Sequence, residues 1–192
     1  MSRDEPIVGG PCEGCDAVFQ GQPRELASVA RIAPPEEPGA KLVLEGVVRD
    51  SDGEAVPGII VYAYHTDATG VYPRDERFRG QSAFNHGRLR AWARTDAAGR
   101  YRFETIRPAS YPRTSEPQHI HLHIIEPGCC TYYIDDVFFD DDLRLTPRHR
   151  QRLGGRGGNG LTSPRQDESG TWHVTRDIVL GRNIPDYPLR KK

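Results

Sequence analysis

The sequence predicts an all-β protein, an antiparallel β-sandwich with an irregular N-terminal arm and long loops that would form the active site. Short runs rich in β-branched and aromatic residues alternate with turn residues along most of the chain, which is typical of antiparallel sheets. The 192 residues include 20 Gly and 16 Pro but one Met, a composition that favours turns over a helical bundle. About seven such runs can be distinguished, without the intervening helices that a parallel sheet requires.

The elements follow an arm of residues 1–40, and the domain is predicted to span residues 41–192. Strands are predicted at residues 41–50 and 59–66, in the segments LRAWART, RYRFETI, HIHLHII and YYIDDVFF, and at residues 170–180. Residues 67–87 lack a steady period and are predicted to form an ordered surface loop of the kind that carries function. The only helical turn expected begins at Pro147, with Thr146 as its cap.

Composition narrows the class of function. Lys and Arg number 26 against 27 Asp and Glu, so a net charge of −1 provides no field for nucleic acid or an anionic membrane. No run approaches the roughly 20 apolar residues that span a bilayer, and the first residues lack the pattern of a secretory signal. We therefore expect a single cytoplasmic domain that acts on a small molecule.

The four cysteines form two close pairs, Cys12 with Cys15 and Cys129 with Cys130. Neither pair is accompanied by the second Cys-x-x-Cys that a zinc site usually needs, so structural or weakly redox-sensitive cysteines are expected. A disulfide that ties the arm near Cys129 is the alternative if the protein works outside the cell.

The segment HIHLHII indicates a metal site. Alternate residues of a strand share a face, so His119, His121 and His123 face one way and the Ile and Leu residues between them face the core. A His-x-His pair holds two nitrogens at a separation that one metal ion bridges. His123 lies one pleat further along, where it either supports the ligands or packs.

Two imidazoles leave the remaining ligands open. Glu126 with His119 and His121 would match a cupin-like metalloenzyme, although Arg113 and Tyr133 stand where that pattern wants glycines. Glu126 also precedes a Pro-Gly turn that ends the strand. Two tyrosines are the other candidates: Tyr72 follows a glycine turn in the long loop, and Tyr111 lies between two prolines before the histidine strand.

The sequence resembles the intradiol ring-cleavage dioxygenases, the family of protocatechuate 3,4-dioxygenase and catechol 1,2-dioxygenase. The resemblance runs from about residue 42 to residue 142 and follows the family order: LEGVVRDSDGEAVPG, DATGVYP, RTDAAGRYRFETIRPASYP and PQHIH. It implies four ligands to a non-haem ferric ion, namely Tyr72, Tyr111, His119 and His121. Two phenolates are hard anionic donors that stabilise Fe(III) over Fe(II).

The resemblance also implies the reaction. A catecholic substrate and O₂ would yield a cis,cis-muconate-type diacid that retains both oxygen atoms, as in the catabolism of aromatic compounds. Tyr111 would leave the metal and take a substrate proton, while Tyr72 would stay bound. A homo-oligomer is compatible with this family, and so is a second subunit.

One residue departs from the family pattern. Glu116 stands where the family commonly has an arginine whose cation stabilises charge on the substrate ring. Either Arg113 on the same loop supplies that cation in catalysis, or the substrate differs from simple catechols. Arg79, Arg88 and Arg90 are further candidates to meet a substrate carboxylate. A non-catalytic β-sandwich binding module with a purely structural histidine face is the remaining alternative.

Overall fold

The computed structural model describes residues 5–12 and 14–188, which form two sheets packed face to face. The strands are β1 Val29–Arg31, β2 Lys41–Arg49, β3 Ile60–Tyr64, β4 Arg90–Arg94, β5 Arg100–Ile106, β6 His119–Glu126, β7 Cys130–Tyr133, β8 Val137–Phe139, β9 Leu161–Thr162, β10 Arg165–Gln166, β11 Trp172–Thr175 and β12 Ile178–Val179. The helices are α1 Ala83–His86 and α2 Pro147–Arg152, with 3-10 turns at Cys15–Phe19 and Glu76–Phe78. The predicted all-β sandwich is confirmed.

The first sheet has the order β1-β5-β2-β11-β10, with β12 paired to the end of β2. Its centre is the long antiparallel pair of β2 and β5, in which Leu44 lies opposite Phe103. Strand β1 pairs in parallel with β5, and β11 and β12 pair in parallel with β2, so the sheet is mixed rather than purely antiparallel. Strand β1 lies within residues 1–40, and the predicted boundary at residue 40 stays a prediction.

The second sheet has the order β4-β3-β6-β8-β9, with β7 also paired to β6. Strands β3 and β6 are antiparallel, so Tyr64 lies opposite His121 and Tyr62 lies opposite His123. Because paired residues point to the same face, these two tyrosines and two histidines share one surface of the sheet.

The main core lies between the sheets. The other face of β6 supplies Ile120, Leu122 and Ile124, and each of these three residues is at most 1% exposed. The alternation predicted from HIHLHII therefore places the aliphatic residues in the core. Burial of three such side chains stabilises the fold by about 2 kcal/mol each.

A second, smaller cluster lies on the outer face of the second sheet. Val18 from the arm packs there with Ile60, Tyr62, Trp92 and Ile125. Trp92 donates its indole N–H to the carbonyl oxygen of Val18 at 2.7 Å. The arm is therefore a cover for the outer face of the second sheet, the face that carries the histidines.

Helix α2 begins at Pro147 as expected, because the Thr146 hydroxyl accepts the backbone N–H of His149. The predicted loop of residues 67–87 contains the short turns Glu76–Phe78 and α1. Across the described residues, the helices are all too short to cross a bilayer.

Candidate metal centre

Strand β6 holds His119 and His121 on the outer face of the second sheet. Pro117 precedes the strand, and its carbonyl oxygen lies 2.7 Å from His119 Nδ1. A carbonyl only accepts hydrogen bonds, so Nδ1 carries the proton and His119 Nε2 keeps its lone pair. The Asp136 carboxylate, at the start of β8, lies 2.9 Å from His121 Nδ1 and acts on His121 in the same way.

Two loops bring the tyrosines to these histidines. Gly70 lets the loops approach closely, because it has φ +82° and a Cβ built on it would lie 2.0 Å from the carbonyl oxygen of Ser110. The loops are also joined by a hydrogen bond of 2.7 Å from the Thr66 hydroxyl to the carbonyl oxygen of Ala109. Tyr72 and Tyr111, one on each loop, therefore face each other.

The four predicted ligands converge. Tyr72 Oη lies 2.5 Å from Tyr111 Oη and 2.8 Å from His121 Nε2. Tyr111 Oη lies 3.0 Å from His119 Nε2 and 3.3 Å from His121 Nε2, and the two Nε2 atoms are 3.1 Å apart. Donor atoms about 2 Å from a common ion lie about 3 Å from one another, so the arrangement fits a single metal ion.

The electrostatics of the cluster hold protons on both phenols. Burial raises the pKa of Tyr72, and the nearby Tyr111 raises it further. Burial likewise raises the pKa of Tyr111 and lowers that of His119. Burial alone would raise the pKa of Asp136, but the attraction of His121 holds that pKa below its usual value. Deprotonation of two such phenols needs a strongly polarising ion beside them.

His123 does not join the cluster. Burial lowers its pKa to about 3, and its ring packs on Tyr62 with 5.9 Å between centroids. His121 instead stacks on Tyr64 at 4.5 Å, and Tyr64 stacks on His86 at 3.7 Å. This stack packs against the ring of the predicted ligand His121 on the outer face of the sheet.

The cupin-like ligand set is not assembled. Glu126 lies on the opposite face of β6 from His119 and His121 and is fully buried. Its carboxylate accepts hydrogen bonds from Tyr132 and Tyr187 at 2.5 and 3.0 Å. The sequence alternation also predicts this, because Glu126 is an even-numbered residue of β6 and therefore shares a face with the core residues.

The arginines considered from sequence have different positions. Arg113 is exposed on the loop between Tyr111 and β6, with φ 62°. Arg88 makes a bidentate ion pair with Glu37 at 2.6 and 2.9 Å, and Arg90 is buried against Trp92. Arg79 is paired with Glu76. Arg113 is the member of this group on the same loop as a predicted ligand.

A cavity of about 220 Å³ adjoins the cluster. Asp136 and Phe138 link it to the predicted ligands, since Asp136 contacts His121 and the Phe138 ring lies 5.8 Å from that of His119. Its charged lining consists of Glu116, Asp135, Asp136 and Arg152, and His149 also borders it. Two larger depressions on the first sheet, of about 410 and 270 Å³, share no residue with the donor cluster.

Sequence reasoning missed Asp136 and the supporting Tyr64. The adjacent acids Asp135 and Asp136 interrupt the segment YYIDDVFF, and that interruption was the available signal. It was not sufficient, because only the pairing of β6 with β8 brings Asp136 to His121. From sequence alone, Tyr64 is an ordinary aromatic residue of a strand, and only the strand register shows that it lies opposite His121.

Comparison with known proteins places this arrangement in a family. The dioxygenase family model Dioxygenase_C matches residues 18–151, a range that contains all four converging side chains. The chain belongs to the intradiol dioxygenase family. Within that family, the protocatechuate 3,4-dioxygenase alpha chain of Burkholderia cepacia is 31% identical over 129 residues, 62% of this chain and 64% of that protein. Catechol 1,2-dioxygenase 1 of Acinetobacter lwoffii is 36% identical over 77 residues, 40% of this chain and 24% of that protein.

Solved structures of intradiol dioxygenases share the fold. The catechol 1,2-dioxygenase of Acinetobacter radioresistens has a TM-score of 0.64 at 21% identity, with 100% of this chain and 68% of that chain covered. The dioxygenase domain of a dioxygenase–carbohydrate-binding protein fusion from Streptomyces sp. SirexAA-E has a TM-score of 0.62 at 20% identity, with 92% and 98% covered. This intradiol dioxygenase family member spans less than two thirds of the length of the two curated relatives described above.

Proposed function

We propose that the chain is a non-haem Fe(III)-dependent intradiol dioxygenase that converts a catecholic compound and O₂ to a cis,cis-muconate-type diacid. The observation that supports this most strongly is the convergence of two phenol oxygens and two imidazole nitrogens, with separations of 2.5 to 3.3 Å. Phenolates with neutral imidazoles are the donor set that suits a ferric ion. Bound among these donors, Fe(III) would supply the Lewis acidity that holds the substrate as a catecholate and favours its reaction with O₂.

His119 and His121 are proposed to hold the ion through Nε2, because each Nδ1 is engaged by Pro117 or Asp136. Tyr72 is the proposed permanent phenolate ligand. Tyr111 Oη is the proposed acceptor of a catechol proton. Once protonated, Tyr111 would leave the ion and make room for the substrate. Burial raises the pKa of the Tyr111 phenol, so this oxygen holds a proton readily once it leaves the ion.

Arg113 is the proposed source of positive charge near the substrate, since its loop begins at Tyr111 and the chain has Glu116 in place of the family arginine. Arg113→Ala tests this assignment. A loss of kcat with unchanged iron content is expected, and unchanged turnover would contradict it.

The decisive test is oxygen consumption by the iron-loaded protein with a panel of catechols, with product identified by mass after reaction in ¹⁸O₂. One O₂ consumed and both labelled atoms in an acyclic diacid are expected. Tyr72→Phe and Tyr111→Phe should lower activity by several orders of magnitude, while Tyr187→Phe, far from the cluster on Glu126, should retain it. No labelled ring-opened product from any catechol would refute the proposal.

We also predict that the protein is cytoplasmic and that it forms a homo-oligomer. Gel filtration with light scattering measures the second directly.

A further inference from the structure

The N-terminal arm carries a cluster of metal-ligating side chains that the candidate iron centre does not use. Cys12 and Cys15 form a disulfide, and a 3-10 turn begins at Cys15. The next residues of that turn pack on the outer face of the second sheet through Val18. The two sulfurs are therefore held against the same sheet face that carries the histidine row.

His123, the third histidine of that row, lies beneath the two cysteines. Its Nδ1 is 3.8 Å from Cys15 Sγ. The two sulfurs and a ring nitrogen of His123 all lie within 4.8 Å of one another. Cys15 is 3% exposed and His123 is 4% exposed, so the cluster is closed to bulk water on the sheet side.

A fourth donor atom, the Nε2 nitrogen of His86, faces the same loop. Gly14, between the two cysteines, has φ +77°, and a Cβ built on it would lie 3.2 Å from His86 Nε2. His86 Nδ1 is already 2.9 Å from the Tyr62 hydroxyl, which leaves Nε2 directed at the loop. The rings of His86 and His123 are 6.2 Å apart.

We propose that reduction of the Cys12–Cys15 disulfide creates a second metal site, in which Cys12 Sγ, Cys15 Sγ and His123 Nδ1 bind a thiophilic divalent cation such as Zn²⁺ or Cd²⁺. Two thiolates and an imidazole match the ligands of tetrahedral zinc sites, with metal–ligand distances of about 2.0 to 2.3 Å. The fourth position is open to His86 Nε2 or to water. All three donor atoms already lie within 4.8 Å of one another.

The chemistry balances with a phosphine as reductant. The phosphine attacks one sulfur and the S–S bond breaks; water then supplies the oxygen of the phosphine oxide and the two protons of the thiols. The cation afterwards displaces both thiol protons, so two protons leave for each cation bound. The site is soft and sulfur-rich, whereas the iron centre offers hard phenol oxygens, so the two sites discriminate between metals.

The site is tested with Cd²⁺ on the iron-loaded protein, either untreated or reduced with a water-soluble phosphine and desalted anaerobically. Cadmium per chain and thiolate-to-cadmium absorption are measured, with iron content as the check on folding. The reduced protein is expected to bind one more Cd²⁺ per chain than the untreated protein. Cys12→Ser and Cys15→Ser should abolish that increment, and the matched control Cys129→Ser should retain it.

The imidazole is tested separately. His123→Asn is expected to weaken Cd²⁺ binding at least tenfold; this factor corresponds to about 1.4 kcal/mol. If that variant loses its iron, X-ray absorption at the cadmium edge of the wild-type protein replaces it and should reveal two sulfurs and at least one imidazole nitrogen. Equal cadmium binding before and after reduction, survival of the increment in Cys12→Ser, or a shell without imidazole would each overturn the proposal.

Discussion

Asp136 is the residue on which the orientation of His121 depends. Its carboxylate fixes Nδ1 of the ring, so that Nε2 faces Tyr72 and Tyr111. Gly160 makes this placement specific, because a Cβ there would lie 2.4 Å from the backbone oxygen of Asp136. The carboxylate also contributes a negative charge beside the proposed Fe(III) position.

Asp136→Asn is therefore expected to weaken iron binding by about 10- to 100-fold, since the amide keeps the shape but loses the charge. Iron retained after dialysis against graded chelator measures this. Asp135→Asn is the matched control, because Asp135 accepts a hydrogen bond from the backbone N–H of Gly155 and not from a predicted ligand. Equal iron loss in both variants would show that Asp136 acts only through the fold.

Glu116 should set the preference among catechols. It lines the cavity together with Asp135 and Asp136, so a substrate carboxylate meets repulsion there. Glu116→Gln is expected to raise kcat/KM for a carboxylated catechol by roughly fivefold, or about 1 kcal/mol, relative to unsubstituted catechol. An unchanged ratio of the two kcat/KM values would show that Glu116 exerts no electrostatic effect on the substrate carboxylate.

Among the individual residues of the site, some could be predicted from the sequence and others could not. Strand alternation places His119 and His121 on one face without further information. Tyr72 and Tyr111 were candidates from their places beside turn residues, and the family resemblance implied their ligand roles, because loop conformation decides where their side chains point. Asp136 and His86 reach their partners through long-range strand pairing and arm packing, which local sequence does not encode. The ligand roles of the four converging residues stay predictions.

Among the structural elements, the two tyrosine loops depend on a single close contact. Gly70→Ala is expected to separate the loops, because its Cβ would clash with Ser110, and thus to abolish stoichiometric iron binding. Gly53→Ala is a matched control: φ is +89°, but nothing lies within 4 Å of the added Cβ. Both variants carry backbone strain of about 1 kcal/mol, and iron content measured after purification separates strain from collision. Full iron in Gly70→Ala would contradict this role of the contact.

The predicted elements were most accurate where the pattern was strongest. The central strands and the Thr146 cap lie where they were expected, because alternation and capping are local effects. The segment at residues 170–180 divides into β11 and β12 around the buried Arg176, whose guanidinium donates to the carbonyl oxygen of Gly157 at 3.1 Å. At the break, the Asp177 carboxylate accepts a backbone N–H of β2 at 2.9 Å, in the place that a backbone carbonyl would take in a continuous strand.

For the whole molecule, buried histidines should make the fold acid-sensitive. Burial lowers the pKa of His65 to about 4, and its Nε2 lies 2.6 Å from the Thr105 hydroxyl. Between the unfolded pKa of about 6.5 and the folded pKa, the unfolded chain binds the extra proton, so stability is lost as pH falls.

His65→Gln is expected to remove about 3 kcal/mol of the wild-type loss in unfolding free energy between pH 6.5 and pH 4. Urea unfolding at both pH values, with equal iron loading, measures the difference. Identical pH dependence in wild type and His65→Gln would contradict the assignment.

The central claim is that two tyrosinates and two histidines bind Fe(III) on the outer face of the second sheet. The most direct measurement is a visible spectrum of the purified protein with its iron content, repeated after anaerobic addition of catechol. About one iron per chain is expected, with a broad phenolate-to-iron band that shifts with catechol and is lost in Tyr72→Phe. A metal-replete protein that is colourless, or whose band is unchanged in both Tyr72→Phe and Tyr111→Phe, would contradict it.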